Sequence, residues 1–284
     1  MDVVAPGFVE GCHACQTLAH AGAQLERLVP EPIQAGSNGG GGAELLAEDV
    51  HVHFEGVRAV DGVDVTLHRN EILGLIGPNG AGKTTLVNVL SGFQRPTSGS
   101  VVLAGQEITG WPPHEIALAG LCRTFQAVRP FPHLSVRENV EVAALAGGAK
   151  RWEARAFAEE ILAQVSLNDV GDLRADALPH GLERRLGIAR ALAARPQFLL
   201  LDEPGAGLNE AESDDLIGAL RVIQLSFSLG LLVIEHDMKV IMNLCDRIQV
   251  LDHGKTIALG TPDAVRADPE VITAYLGSGR GEHA

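Results

Sequence analysis

Gly77-Pro78-Asn79-Gly80-Ala81-Gly82-Lys83-Thr84 is the stretch on which the reading of this chain turns. It follows the short apolar run Ile72-Leu73-Gly74-Leu75-Ile76, which is bounded like a buried strand. Thr85-Leu86-Val87-Asn88-Val89-Leu90 comes after it, with apolar spacing that suits a helix. The pattern G-x-x-x-x-G-K-[ST] therefore stands between a strand and a helix N-terminus, the context it needs. Glycines let successive backbone N–H groups turn inward, so that they and the helix dipole face one anion. Lys83 adds a mobile positive charge for the β- and γ-phosphates, and the Thr84 hydroxyl is placed to bind Mg²⁺. The stretch predicts a nucleoside triphosphate site.

A chain of 284 residues has room for one large α/β domain or two small ones. Its formal net charge of −14 argues against a nucleic-acid surface, which shows as a basic patch. Of four cysteines only Cys12 and Cys15 are close in sequence, so no disulfide framework is visible and a reducing cytosol fits best. Residues 1–12 lack the basic start and apolar stretch of a signal peptide. The longest largely apolar run, Val222 to Ile234, is too short for a membrane span, and Gly230 is expected to split it into a helix end and a strand. Any role at a membrane is expected to run through a partner.

Residues 1–43 read as an extension to the folded domain. Leu18, Ala21, Leu25 and Leu28 recur at helical spacing between Cys12 and Val29. Pro30-Glu31-Pro32 ends that helix, and Gly39 to Gly42 read as a linker. Cys12-His13-Ala14-Cys15 is half of a zinc pattern with no second half nearby, so an unstructured thiol pair is the default. The folded domain is expected from Glu44 to Gly277, with residues 278–284 as a tail.

Val50, Val52 and Phe54 alternate, as do Val63, Val65 and Leu67, predicting an antiparallel pair of half-buried strands ahead of the phosphate loop. Phe54 closes the first; its ring reads equally as a platform for a base or as a strand-end core aromatic. Ser100 to Leu103 and Leu121 to Phe125 predict further strands, and Gln126 follows the second. A glutamine there could bring its side-chain oxygen to Mg²⁺ or to an attacking water. Ser135-Val136-Arg137-Glu138 is a capping box opening a helix towards Ala146. Helices are expected at Arg151 to Val165 and Arg184 to Arg195, making about 127–195 a helical region without a strand. Leu178-Pro179-His180-Gly181-Leu182 opens the last of these, either as a plain cap or as a second anion site at a helix start.

Phe198-Leu199-Leu200-Leu201-Asp202-Glu203 has four apolar residues ending in two acids. That describes a buried parallel strand delivering carboxylates to its C-terminal edge, where open α/β sheets bind ligands. Asp202 is suited to hold Mg²⁺ through water, and Glu203 to take a proton from an attacking water. Leu231-Leu232-Val233-Ile234-Glu235-His236 repeats the design, with His236 placed to hydrogen-bond a γ-phosphate and fix Glu203.

These elements, in this order from about Glu44 to Gly277, resemble the ATP-binding cassette (ABC) ATPases. The resemblance implies an α/β P-loop fold with a mainly parallel core sheet, an N-terminal antiparallel β part and a helical subdomain. It assigns Gly77 to Thr85 to the phosphate-binding loop, Gln126 to the Q-loop, Asp202 and Glu203 to the Walker B acids, and His236 to the switch histidine. Phe54 matches the adenine-stacking aromatic, and Gly205 to Asn209 occupies the D-loop. Leu178, His180 and Gly181 fall in the signature motif, but Pro179 and Leu182 stand where the family has serine and glutamine. Asn209 stands where the D-loop has aspartate.

Leu-Pro-His-Gly-Leu, Ala-Gly-Leu-Asn, Phe-Pro-His-Leu-Ser-Val-Arg-Glu-Asn-Val and the tail from Gly260 to Gly277 look like the ATPases of branched-chain amino-acid importers. The implied cofactors are ATP and Mg²⁺. The implied assembly is a head-to-tail dimer with an identical or sister cassette, ATP sandwiched between the Lys83 loop of one chain and the Gly181 helix of the other. Integral-membrane permease subunits would dock near Gln126 to His133 at the cytoplasmic face of the membrane, with an external solute-binding protein beyond them. The alternatives are a soluble non-transport cassette, used in assembly or regulation, and the ATPase of a lipid-type exporter.

Overall fold

The computed structural model describes residues 44–126 and 128–277. The helix expected between Cys12 and Val29, the glycine linker, the Cys12–Cys15 pair and the tail 278–284 lie outside the described residues.

Strands β1 (Glu44–Phe54) and β2 (Val57–His68) form the expected antiparallel hairpin, with Val50 opposite Val63 and Val52 opposite Val60. Simple alternation does not run through either strand. Leu45 and Ala47 are buried, then Val50 and Val52, so the inward parity changes across a bulge where Asp49 takes φ 48°. β2 makes the matching change at Gly62, with Val60 buried before it and Val63, Val65 and Leu67 after. β4 (Ser98–Leu103) and the two-residue β5 (Gln106–Glu107) complete a sheet of order β2-β1-β4-β5. Phe54 ends β1 beyond the core at 46% exposure, so it is not a core aromatic.

The second sheet carries the site. β3 (Ile72–Ile76) lies between β8 (Gly230–Ile234) and β9 (Arg247–Asp252), and β7 (Phe198–Asp202) between β8 and β6 (Leu121–Arg123), all parallel. β10 (Lys255–Gly260) adds an antiparallel edge. Both faces of the parallel strands are covered, which explains their continuous apolar runs. Leu73, Leu75, Phe198, Leu200, Leu232 and Ile234 face the antiparallel sheet and helix α1 (Lys83–Leu90). Ile72, Ile76, Leu199, Leu201, Leu231 and Val233 face the opposite way, into a second core shared with the helices.

Residues 128–193 contain helices and no strand, as expected; a single bridge joins Ser135 to Arg174. After the short α2 (Pro113–Leu118), α3 (Val136–Ala146) opens on the predicted capping box, Ser135 Oγ accepting from the Glu138 N–H while Glu138 Oε2 accepts from the Ser135 N–H. α4 (Arg151–Gln164) and α5 (His180–Ala193) pack on α3 through Val140, Ala144, Phe157, Ile161, Leu186 and Ala189. α5 starts four residues before Arg184, within the expected opening stretch Leu178 to Leu182, because Pro179 takes the cap position and its fixed φ leads straight into the first turn. The strand expected to reach Phe125 stops at Arg123. α6 (Glu210–Phe227) ends at Ser228, in the left-handed conformation, and Gly230 opens β8, so the apolar run is split as predicted. α7 (Met238–Leu244), α8 (Pro262–Ala267) and α9 (Pro269–Gly277) follow. Cys122 and Cys245 are free and buried, and burial pushes both thiols up to about 12. Among the described residues no helix is long and apolar enough to cross a membrane.

Candidate functional site

The loop after β3 needs its glycines for space as well as conformation. At Gly77 (φ 148°) a Cβ would be driven into the Leu251 carbonyl, and at Gly82 (φ 102°) into the Ala59 carbonyl. Neighbouring backbone thus passes where a side chain would stand. Gly82 is the N-cap of α1, so the helix's first N–H groups open onto the loop. Lys83 reaches back over it, its Nζ donating to the carbonyls of Gly77 (2.6 Å) and Pro78 (3.0 Å). Burial lowers the Lys83 pKa, and the Glu203 carboxylate opposes that shift. The Tyr275 hydroxyl, on α9, is bound to the backbone of Gly77, and burial raises its pKa.

A cleft of about 390 Å³ opens over this loop. It is lined by Asn79 to Thr85, Val57 to Ala59, Glu203, Ile234, His236 and His253. The glycine-lined floor, the helix N-terminus and the buried Lys83 fit a polyphosphate. Phe54, Leu178, His180 and Gly181 do not line it. Leu178 packs on the helical core, while His180, whose Nδ1 lies 3.2 Å from Glu183 Oε2, and Gly181 stand exposed at the start of α5.

The two acids at the end of β7 part company. Glu203 takes φ 49°, its N–H donating to the Ile234 carbonyl, and its side chain turns towards the cleft. Its Oε1 lies 2.6 Å from His236 Nε2 and its Oε2 2.9 Å from Gln126 Nε2. A carboxylate only accepts, so both neighbours present N–H groups to it. Gln126 therefore meets Glu203 through its nitrogen, where the sequence suggested an oxygen turned to metal or water. Asp202 points away, to Arg123.

Arg123 is the residue that sequence reasoning missed. Its Nη2 donates to Asp202 Oδ2 at 2.8 Å, and its Nη1 to Asn88 Oδ1 at 2.6 Å and Ser91 Oγ at 3.2 Å. The guanidinium lies 4.9 Å from the centre of the Phe125 ring and 5.9 Å from that of Phe93. The pair is nearly sealed, at 6% and 16% side-chain exposure. The only available signal was an arginine at a strand end directly before Thr124-Phe125-Gln126. Thr84 lines the cleft, whereas Asp202 and Gln126 line a neighbouring groove; all three side chains carry oxygens of the kind a hard cation such as Mg²⁺ takes.

Two features tie the site to its surroundings. Glu235 is buried at the end of β8, with Oε1 accepting from the Gly205 N–H and Oε2 from the His236 N–H at 3.1 Å. Burial raises its pKa and those N–H groups oppose the rise. Glu235→Gln would turn an N–H donor on one of these two donors. It is expected to lower the unfolding free energy by about 1–3 kcal/mol, read from denaturant midpoints. Asn209 is the N-cap of α6: its Oδ1 accepts from the Glu212 N–H at 3.0 Å, and its own N–H donates to Glu212 Oε2 at 2.9 Å. The departure at this position thus keeps a good cap. Asn209→Ala should cost about 1 kcal/mol in a thermal or chemical melt, and Asn209→Asp next to nothing.

A groove of about 870 Å³ runs between β6 and α5, with Gln126 and Asp202 also in its lining. Phe93, Arg123, Phe125, Val128, Gly187 and Arg190 line it. Phe93, Phe125 and, nearby, Phe131 are about half exposed. Arg190 stacks on Phe131 with its centre 5.4 Å from the ring and donates to the Arg129 carbonyl.

Residues 60–206 match the ABC transporter family, and residues 255–280 match a branched-chain amino acid ATP-binding cassette transporter family. The chain is 42% identical over 248 residues to the high-affinity branched-chain amino acid transport ATP-binding protein BraF of Pseudomonas aeruginosa, and 41% identical to LivG of Escherichia coli. Each alignment covers 82% of this chain and 97% of the relative. Its fold superposes on the ADP conformation of MJ1267, an ATP-binding cassette of an ABC transporter, with TM-score 0.75 and 28% identity, over 83% of this chain and 99% of that one.

Proposed function

Because the chain belongs to the ABC transporter family, as an ATP-binding protein of the branched-chain amino acid (LivG/BraF) type, we propose that it hydrolyses ATP to power import of branched-chain amino acids through a membrane permease. The observation that carries the substrate class is the family match at residues 255–280, together with 42% identity to BraF over nearly all of that protein.

In this reading Gly77 to Thr85 and the α1 N-terminus hold the phosphates, with Lys83 leaving the Gly77 and Pro78 carbonyls for the β- and γ-oxygens. Phe54, exposed at the end of β1, stacks on the adenine. Thr84, Asp202 and Gln126 would hold Mg²⁺, which would supply positive charge to offset that of the phosphates. Glu203 takes a proton from the attacking water. His236 Nε2 and Gln126 Nε2 fix its carboxylate, and such base assistance contributes about 10²–10⁴-fold. The exposure of His180 and Gly181, and their distance from the lining of the cleft in their own chain, support a site completed by the α5 N-terminus of a second cassette. The aromatic groove beside Gln126 is the surface offered to the permease, at the cytoplasmic face of the membrane. An external solute-binding protein would deliver the substrate to that permease.

The test uses tagged Glu203→Gln protein expressed in its own host and solubilised gently with ATP and Mg²⁺. A multi-span permease and a second cassette should co-purify, and deleting the chain should abolish uptake of labelled leucine, isoleucine and valine. Recovery of soluble partners alone would replace this reading with a non-transport cassette. A membrane complex with intact amino-acid uptake would point to another cargo, including export.

A further inference from the structure

Outside the nucleotide cleft, one cluster on the antiparallel sheet has the composition of a metal centre. His51 and His53 stand two residues apart on β1, on one face, and Asp61 is the cross-strand partner of His51 on β2. One ligand atom from each of the three lies within 4.8 Å of the others. His51 Nδ1 is 3.3 Å from Asp61 Oδ1. Two ligands of a tetrahedral ion with bonds of about 2.0–2.1 Å stand roughly that far apart.

The other nitrogen of His51 is held as well, with Nε2 2.9 Å from Asp49 Oδ1. Neutral imidazole carries a single N–H. If Nε2 donates to Asp49, the lone pair on Nδ1 points at a carboxylate oxygen, a contact satisfied by a second proton on the ring or by a metal cation held between them. A carboxylate on the outer nitrogen of a histidine is also how metal-binding imidazoles are oriented and made more basic. Asp49 reaches this position through the β1 bulge, which gives it φ 48°. Arg58 and Lys255 approach Asp61 only at 3.5 and 3.4 Å, from exposed side chains that are cheap to displace.

We propose that His51, His53 and Asp61 form a site for a divalent transition metal of the zinc class, with Asp49 as the carboxylate that orients His51. Two imidazoles and one carboxylate select Zn²⁺ and its neighbours over Mg²⁺ or Ca²⁺, which take oxygen. Three protein ligands leave a fourth position for water. The ion would clamp β1 to β2 just behind Val57 to Ala59, which line the nucleotide cleft. This site is independent of the chemistry proposed for Glu203.

Titration of the full chain with ZnCl₂ by calorimetry tests it, in a Cys12→Ser, Cys15→Ser background so that the N-terminal thiols do not contribute. One equivalent should bind with micromolar affinity, and Zn²⁺ should raise the melting temperature. His53→Ala, an exposed position that folding tolerates, should weaken binding at least tenfold and remove the thermal shift. Asp49→Asn should weaken it by about tenfold, as removal of an orienting carboxylate does. Absence of binding in the cysteine-free background, or binding unmoved by His53→Ala, would overturn the proposal.

Discussion

In Glu203→Gln, steady-state phosphate release is expected to fall about 10²–10⁴-fold while ATP affinity stays within about threefold. The two effects separate because no hydrogen bond joins Glu203 to the phosphate cradle, although its charge is felt by Lys83. Its Oε1 faces His236 Nε2 and its Oε2 faces Gln126 Nε2, whereas Lys83 and the glycine loop are held by Gly77 and Pro78. Glutamine keeps the length and one acceptor oxygen. It loses the negative charge that makes the group a base and places an N–H against one of the two donors. His236→Ala should act through the same carboxylate with a smaller loss, since Gln126 still holds the other oxygen. Retention of wild-type turnover by Glu203→Gln would remove Glu203 as the proton acceptor.

Arg123→Met should destabilise the fold by about 3 kcal/mol, a large share of a domain's net stability. Methionine fills much of the volume and keeps contact with Phe93 and Phe125, so packing is not the main loss. What remains is a nearly sealed Asp202 carboxylate without its counter-charge, with Asn88 Oδ1 and Ser91 Oγ also stripped of a donor. The double variant Arg123→Met, Asp202→Asn should recover part of the loss, because the uncompensated charge is gone. Denaturant melts of the two single variants and the double variant give the coupling directly. A sum of independent effects would mean the pair is incidental.

The sequence made the nucleotide cleft legible because its parts are short, contiguous and chemically explicit. Gly77 to Thr84 lies within one loop, and each acid or histidine follows an apolar run that can only be a buried strand. The Arg123 network was invisible for the opposite reason. Its partners lie 32, 35 and 79 positions away, two at the end of α1 and one at the end of β7, and only the fold brings them together. His51, His53 and Asp61 likewise needed a strand register interrupted by bulges that no alternation pattern encodes. The same bulges explain Phe54: alternation continued from Val50 and Val52 points it inward, yet the strand has by then left the core. The apolar period alone puts α5 at Arg184, because Glu183-Arg184-Arg185 breaks it, whereas Pro179 in Leu178 to Leu182 marks the true opening through geometry rather than hydrophobicity.

The left-handed backbone at Glu203 gives the site an evolutionary asymmetry. A side chain with a Cβ costs about 1–2 kcal/mol there, a strain that glycine escapes and asparagine largely tolerates. Loss of hydrolysis at this position is therefore thermodynamically downhill, so a lineage relieved of the need to turn over ATP would drift towards glycine or asparagine. A library of this protein selected for heat resistance alone should enrich those two residues at position 203. A glutamate that persists there records continuing selection for turnover.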